Sequence, residues 1–169
     1  ASLVKEVLAG VAAPATTEFV DLNQYQIHPD KPETTNPTLD KLAAKLKAAD
    51  VWVLGTPTYF GTVAGQFKQL LDCMRHRMTR MTHKGDTLPG QFKDKHYVSV
   101  TSCFATGLDN TFTHQTDATL VAIDKAMTAA GVHKITELVL PHTWVMTSLP
   151  LAKVNQAHQL GEKLGTFKK

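Results

Sequence analysis

Cysteine is nearly absent: Cys73 and Cys103 are the only two in 169 residues. Far apart in sequence, they draw neither a disulfide framework nor the spacing of a zinc or iron–sulfur site, and they read as free thiols of a reducing compartment. Long apolar runs are missing too. Nothing approaches the roughly 20 residues that cross a bilayer, and the N-terminus lacks a basic region followed by an apolar one, so a soluble, cytoplasmic protein without a membrane partner is expected. Nor is there an excess of one charge: 18 Lys plus Arg stand against 15 Asp plus Glu, a net +3, too mild to imply nucleic acid. Internal repeats and low-complexity segments are absent. The length fits one domain over residues 1–169, burying roughly two thirds of the surface its unfolded chain would expose.

What is present is an alternation of periods. Leu3, Val4, Val7, Leu8 and Val11 recur at helical spacing from the start, and residues 17–22 read as a short strand. A loop rich in Pro, Asn, Thr and Asp runs from Asn23 to Pro37. Asn36 followed by Pro37 then reads as an N-cap with proline in the first turn, opening a helix that lasts to about Ala49. Val51, Trp52, Val53 and Leu54 form a continuous apolar run, as in a parallel strand covered on both faces. Val63, Phe67, Leu70, Leu71 and Met74 mark a third helix. Strands at 95–103 and 134–140 and helices at 116–130 and 150–164 complete the order α, β, α, β, α, β, α, β, α. Such alternation implies parallel strands joined by right-handed crossovers: a doubly wound α/β sheet with helices on both faces.

Ligands of such sheets bind beyond the carboxyl ends of the strands. Three loops, 56–62, 104–115 and 141–149, fall there and hold Tyr59, Phe60, Phe104, Phe112, His114, His142 and Trp144. In the first, GTPTYFGTVAGQFKQLLDC, Pro57 stiffens the exit from the strand and pushes Thr56 toward extended geometry, while Gly61 permits a turn. Exposed amides beside Tyr59 and Phe60 suit a planar heteroaromatic ligand, stacked on one face and hydrogen-bonded along its edge. The alternative is that both aromatics close the end of the core.

The stretch ADVWVLGTPTYFGTVAGQFKQLLD, with Pro57, Tyr59, Gly61, Gly65, Lys68 and Asp72, resembles the flavodoxin-like NAD(P)H-dependent FMN reductases and multimeric flavodoxins. LPGQFKDKHYVSVTSC, residues 88–103, extends the resemblance more weakly. The resemblance implies a flavodoxin-like fold and FMN as cofactor. Pro57, Thr58, Tyr59, Phe60 and Gly61 would lie against the flavin ring; Ser102, Cys103, Phe104 and Gly107 would lie at its pyrimidine edge. NADH or NADPH would supply hydride for a small electron acceptor, such as a quinone, another flavin or an electrophile. His114, His142 and Trp144 could line the open face, with no catalytic side chain and no metal required. The related iron–sulfur flavoproteins have a compact cysteine cluster, which this sequence does not.

The family opens with a central strand and a loop that wraps the FMN phosphate at the N-terminus of the first helix. This sequence begins inside that helix, so the family's first strand is missing from it, and about 20 upstream residues are expected to supply strand and loop. Two other readings stay open: a flavodoxin-like electron carrier, against which the slightly basic balance argues, and an interaction domain that has lost flavin. The basic run Arg75, His76, Arg77, Arg80, His83 and Lys84 is a solvated helix end or a seat for the 2′-phosphate of NADPH. Met74, Met78 and Met81 within it suggest a partner subunit, hence a homodimer or homotetramer. Lys68 and Asp72 are spaced to pair on one helix face, Cys103 reads by default as a buried inert thiol, and His28, Asp30 and Glu33 read as exposed loop polars in place of a metal site.

Overall fold

The computed structural model describes residues 2–29 and 36–167. Helix α1 (Ser2–Ala9) buries Leu3, Val4 and Val7 on one stripe. Helix α2 (Pro37–Ala48) begins where expected, because Asn36 accepts the Leu39 amide at 3.2 Å and Pro37 fills the first turn. Strand β1 (Val51–Tyr59) turns over Phe60 and Gly61 into β2 (Thr62–Val63) and leads into α3 (Gly65–Met78). A small hairpin of β3 (Thr79–Met81) and β4 (Thr87–Pro89) precedes β5 (His96–Ser102). The chain ends with α4 (Gly107–Thr113), α5 (Asp117–Ala130), β6 (His133–Leu140) and α6 (Leu151–Gly165).

The main sheet has the order β2-β1-β5-β6, with β1, β5 and β6 parallel and β2 antiparallel to β1. Two cores flank it. Trp52, Phe67, Met74, Tyr97 and Ile123 fill the side covered by α2, α3 and α5; Leu3, Val4, Val7, Val98, Val100, Leu138 and Ala157 fill the side covered by α1 and α6. The period of two along β5 makes this division, sending Tyr97 and Thr101 to the first core and Val98 and Val100 to the second. Trp52 stands edge-on to Phe92 with ring centroids 5.3 Å apart and donates its Nε1 hydrogen to the Leu46 carbonyl. Helices α1 and α6 run the same way, with Glu6 meeting His158 at 2.9 Å and Gly10 beside Gly161. Helix α1 therefore starts at the carboxyl edge of the sheet, where α6 also starts.

Helices on both faces of a parallel sheet bear out the expected α/β class. Residues 17–22 do not form the expected strand. They carry no ladder, and Asp21 accepts the Asn23 amide and diverts the chain into a 3₁₀ turn, Leu22–Gln24. An apolar alternation makes a strand only when a neighbour completes the hydrogen bonds, and no described strand lies beside this segment. The apolar run at Val51 continues to Tyr59, so the expected 56–62 loop is mostly strand: the extended geometry that Pro57 forces on Thr56 prolongs β1. Met74 and Met78 are core residues, and of the three methionines only Met81 is exposed. Lys68 and Asp72 do pair, at 2.6 Å. His28 is exposed, and Asp30 and Glu33 lie outside the described residues.

Candidate active site

The three parallel strands end level, with Pro57 beside Ser102 and Ser102 beside Leu140. Everything that follows them emerges at one edge. The β1–β2 connection is a two-residue hairpin in which Phe60 (φ 49°) and Gly61 (φ 74°) both take positive φ, the type I′ geometry that matches the twist of the strands. Along β1 the side chains alternate, so Thr56 and Thr58 turn inward to the α3/α5 side and Pro57 and Tyr59 face the other way. The Thr58 hydroxyl lies 3.0 Å from that of Thr101 and 2.9 Å from that of Thr119. The Thr56 hydroxyl accepts the Ala64 amide at 3.0 Å, where the chain enters α3. Tyr59 is 61% exposed, and Phe60 is wholly exposed.

After β5, Cys103 is buried, and Phe104 projects from the edge at 60% exposure. Thr106 caps α4 by accepting the Asp109 amide at 3.1 Å, so Gly107, expected in a loop, opens a helix. Phe104 and Thr106 donate no backbone hydrogen bond among the described residues, which leaves two donors at the edge. The loop after β6 is latched to this segment: the His142 amide donates to the Ala105 carbonyl, and both the Thr143 amide and hydroxyl donate to the Cys103 carbonyl. His142 adopts a left-handed conformation (φ 63°) and caps the 3₁₀ turn Thr143–Val145, which lifts Trp144 to 82% exposure. His114 terminates α4, also left-handed, with Nδ1 2.8 Å from an Asp117 carboxylate oxygen.

Every residue expected at the site thus lies at the carboxyl ends of β1 and β5 or in the segments leaving β1, β5 and β6, but their side chains do not all face outward. Thr58 has its hydroxyl committed inside and its main chain in the ladder of β1. The Cys103 thiol is also interior. Burial pushes its pKa up, against weaker opposing hydrogen bonds from the Ala105 and His142 backbone, and a protonated thiol is a poor nucleophile. Leu108, Phe112 and Val145 add exposed apolar surface at the same edge; of these only Phe112 stood out in the sequence. Helix α4 had a readable signal, the Thr-x-x-Asp spacing of Thr106 and Asp109 ahead of it. The threonine cluster had none, since its members stand 43 and 61 residues apart. Shallow depressions of about 500 and 400 Å³ lie elsewhere, along α5 beside β4 and between α2 and α3. The edge offers instead an open platform of flat aromatic faces and unused amides. These features fit a flat, hydrogen-bonding heterocycle.

A family model described as NADPH-dependent FMN reductase matches residues 1–130. An iron–sulfur flavoprotein of Methanocaldococcus jannaschii is 36% identical over 83 residues, 43% of each chain; this chain spans less than half of that relative in the match. Among solved structures, a flavone reductase superposes with a TM-score of 0.73 at 20% identity, covering 96% of this chain and 56% of that one. The NAD(P)H:quinone oxidoreductase of Methanothermobacter marburgensis superposes with a TM-score of 0.74 at 14% identity, covering 97% of this chain and 92% of that one. At those identities the likeness is one of fold.

Proposed function

The chain belongs to the NADPH-dependent FMN reductase family, and from that premise we propose that it binds FMN at the carboxyl edge of its sheet and passes electrons from NADPH or NADH to a small planar acceptor. The observation that supports this most is Phe60. A type I′ turn favours Asn or Gly at that position, and a wholly exposed aromatic ring there gains nothing from the core. Strain of this kind points toward a ligand.

In this reading Tyr59 and Phe60 supply apolar surface against the ring, and the amides of Phe104 and Thr106 supply donors along its edge. Pro57 and Gly61 fix the shape of the turn. Ser102 and Cys103 hold in place the segment that carries Phe104 and Gly107 to the edge, and His114, His142 and Trp144 border the open side where donor and acceptor alternate. Bound flavin would supply the redox chemistry by accepting hydride and releasing electrons; the protein binds, orients and keeps water from one face. Quinones and other small electrophiles are the proposed acceptors. Assembly as a homodimer or homotetramer in the cytoplasm belongs to the same proposal, supported by exposed Met81 and by the absence of a disulfide between Cys73 and Cys103.

The test is a titration with FMN followed by quenching of flavin fluorescence, then NADPH and NADH oxidation with a quinone. Saturable binding and acceptor-dependent turnover are expected. Tyr59→Ala combined with Phe60→Ala should weaken FMN binding by at least about tenfold, within the range of an aromatic contact. Unchanged affinity in that double variant, with the fold intact, would sink the assignment of the turn. FMN binding without nicotinamide turnover would favour the electron-carrier reading.

A further inference from the structure

Three buried threonines join elements far apart in sequence. Thr58 on β1 is 7% exposed, Thr101 on β5 is 2% and Thr119 on α5 is fully buried. The Thr58 hydroxyl sits between the other two at 3.0 and 2.9 Å. A hydroxyl has one hydrogen to donate and two lone pairs, so Thr58 uses its donor and one acceptor, or both acceptors, on these two neighbours. Valine has nearly the same volume and no desolvation cost. Three threonines where three valines would fill the space therefore point to direction, which an apolar contact does not supply.

What is being directed follows from the hairpin's own weakness. Strand β2 pairs with β1 through two positions only, Thr58 with Val63 and Tyr59 with Thr62, and a ribbon that short does not hold itself. Phe60 in a left-handed conformation further opposes the turn. A slip of one residue would send Tyr59 inward and Thr58 outward. The hydroxyl of Thr58 forbids that slip, because outside the cluster it would leave Thr101 and Thr119 without their partner in the interior.

We propose that Thr101 and Thr119 are positioning residues: through the Thr58 hydroxyl they fix the register and orientation of the turn Tyr59–Phe60–Gly61, and so its fit to a planar ligand. This rests on the FMN-binding reading above only for its second clause. The experiment therefore has two arms, on the full chain and on its Thr119→Val, Thr119→Ser and Thr101→Val variants. The first arm is amide hydrogen exchange without ligand. Thr119→Val should speed exchange in residues 58–64 by up to about tenfold, the order expected for losing one of the two hydrogen bonds of the Thr58 hydroxyl, leave β6 unchanged, and be reversed in Thr119→Ser. The second arm is FMN affinity, expected to fall about tenfold in Thr119→Val and Thr101→Val and to recover in Thr119→Ser. Exchange in 58–64 within twofold of wild type, or accelerated equally throughout the sheet, would overturn the proposal, as would failure of serine to restore it. Loosened exchange at 58–64 with FMN affinity unchanged in the valine variants would overturn the link to the ligand. Should the unsubstituted chain bind no FMN, the functional reading falls while the exchange arm still decides whether the threonines hold the turn.

Discussion

Gly161→Ala is the sharpest probe of how α1 is held. A Cβ at this position would lie 2.1 Å from the Val7 carbonyl oxygen and 2.8 Å from the Gly10 Cα, both main chain. No rotamer relieves a clash with main chain, so α1 must retreat by more than about 1 Å, which forfeits a quarter to a half of the contact energy across the gap. The side chains that depend on it, Leu3, Val4 and Val7, are each at most 9% exposed, and burial of each contributes about 1.5–3 kcal/mol. Losing that share costs about 1–4 kcal/mol, against which alanine returns about 1 kcal/mol of helix propensity. The net expectation is a loss of about 1.5 kcal/mol, or about 3–6 °C in Tm for a chain of this length. Urea and thermal unfolding followed by circular dichroism measure it. Gly65→Ala is the control, since nothing stands within 4 Å of its Cβ; it should stabilise by about 0.5 kcal/mol. If Gly161→Ala proves as stable as wild type while the control behaves as expected, the close crossing of α1 and α6 is wrong.

Asn36→Ala should cost about 1 kcal/mol in urea unfolding, the usual effect of losing a side-chain cap, because Asn36 accepts the Leu39 amide; no loss would mean that the cap does not form in solution. Tyr97 is buried and donates its hydroxyl to Asp124 at 2.8 Å; burial first, then that bond and the negative charges of Asp124 and Glu137, raise its pKa well above 10. A raised folded pKa gives stability that is whole below the unfolded value near 10 and lost as pH climbs through it toward the folded value. Urea midpoints should therefore fall more steeply above pH 10 in wild type than in Tyr97→Phe, and parallel curves would refute the assignment. Cys73 and Cys103 are both buried, so a disulfide reagent at pH 7.5 should label neither quickly in the native protein and both in urea; rapid native labelling would show that the edge around Cys103 opens.

Legibility in the sequence followed the physics of each element. Helices α2, α3, α5 and α6 and the strands at 96–102 and 133–140 declared themselves by their periods, and Asn36 with Pro37 added a cap signal at the start of α2. Residues 17–22 misled because alternation is a local property whereas a ladder belongs to a pair of strands. The edge was placed correctly by topology alone, since parallel crossovers bring 56–62, 104–115 and 141–149 together whatever their composition. Which way a side chain faces was harder to read. Thr58 and Tyr59 are neighbours in the motif, yet one is locked inside by Thr119 and the other stands in solvent. That difference depends on where β1 stops, and the apolar run ending at Leu54 understated the strand by five residues, to Tyr59.

Phe60 allows the site's purpose to be set against its stability. Its φ of 49° is one that L-residues other than Asn, Asp and Gly adopt at a cost of about 1–2 kcal/mol, and its ring has no burial to offset this. Phe60→Asn keeps the turn type and removes most of the strain, so the ligand-free protein should gain about 0.5–1 kcal/mol in urea unfolding. The same change deletes a face for stacking, worth about 0.5–1.5 kcal/mol beyond area, so FMN affinity should drop by about tenfold. Gain in one measurement and loss in the other is the signature of a residue kept for binding. Were Phe60→Asn to destabilise the free protein and leave FMN affinity unchanged, the ring would have to be packing against something in solution, and the edge would be an interface before it is a flavin site.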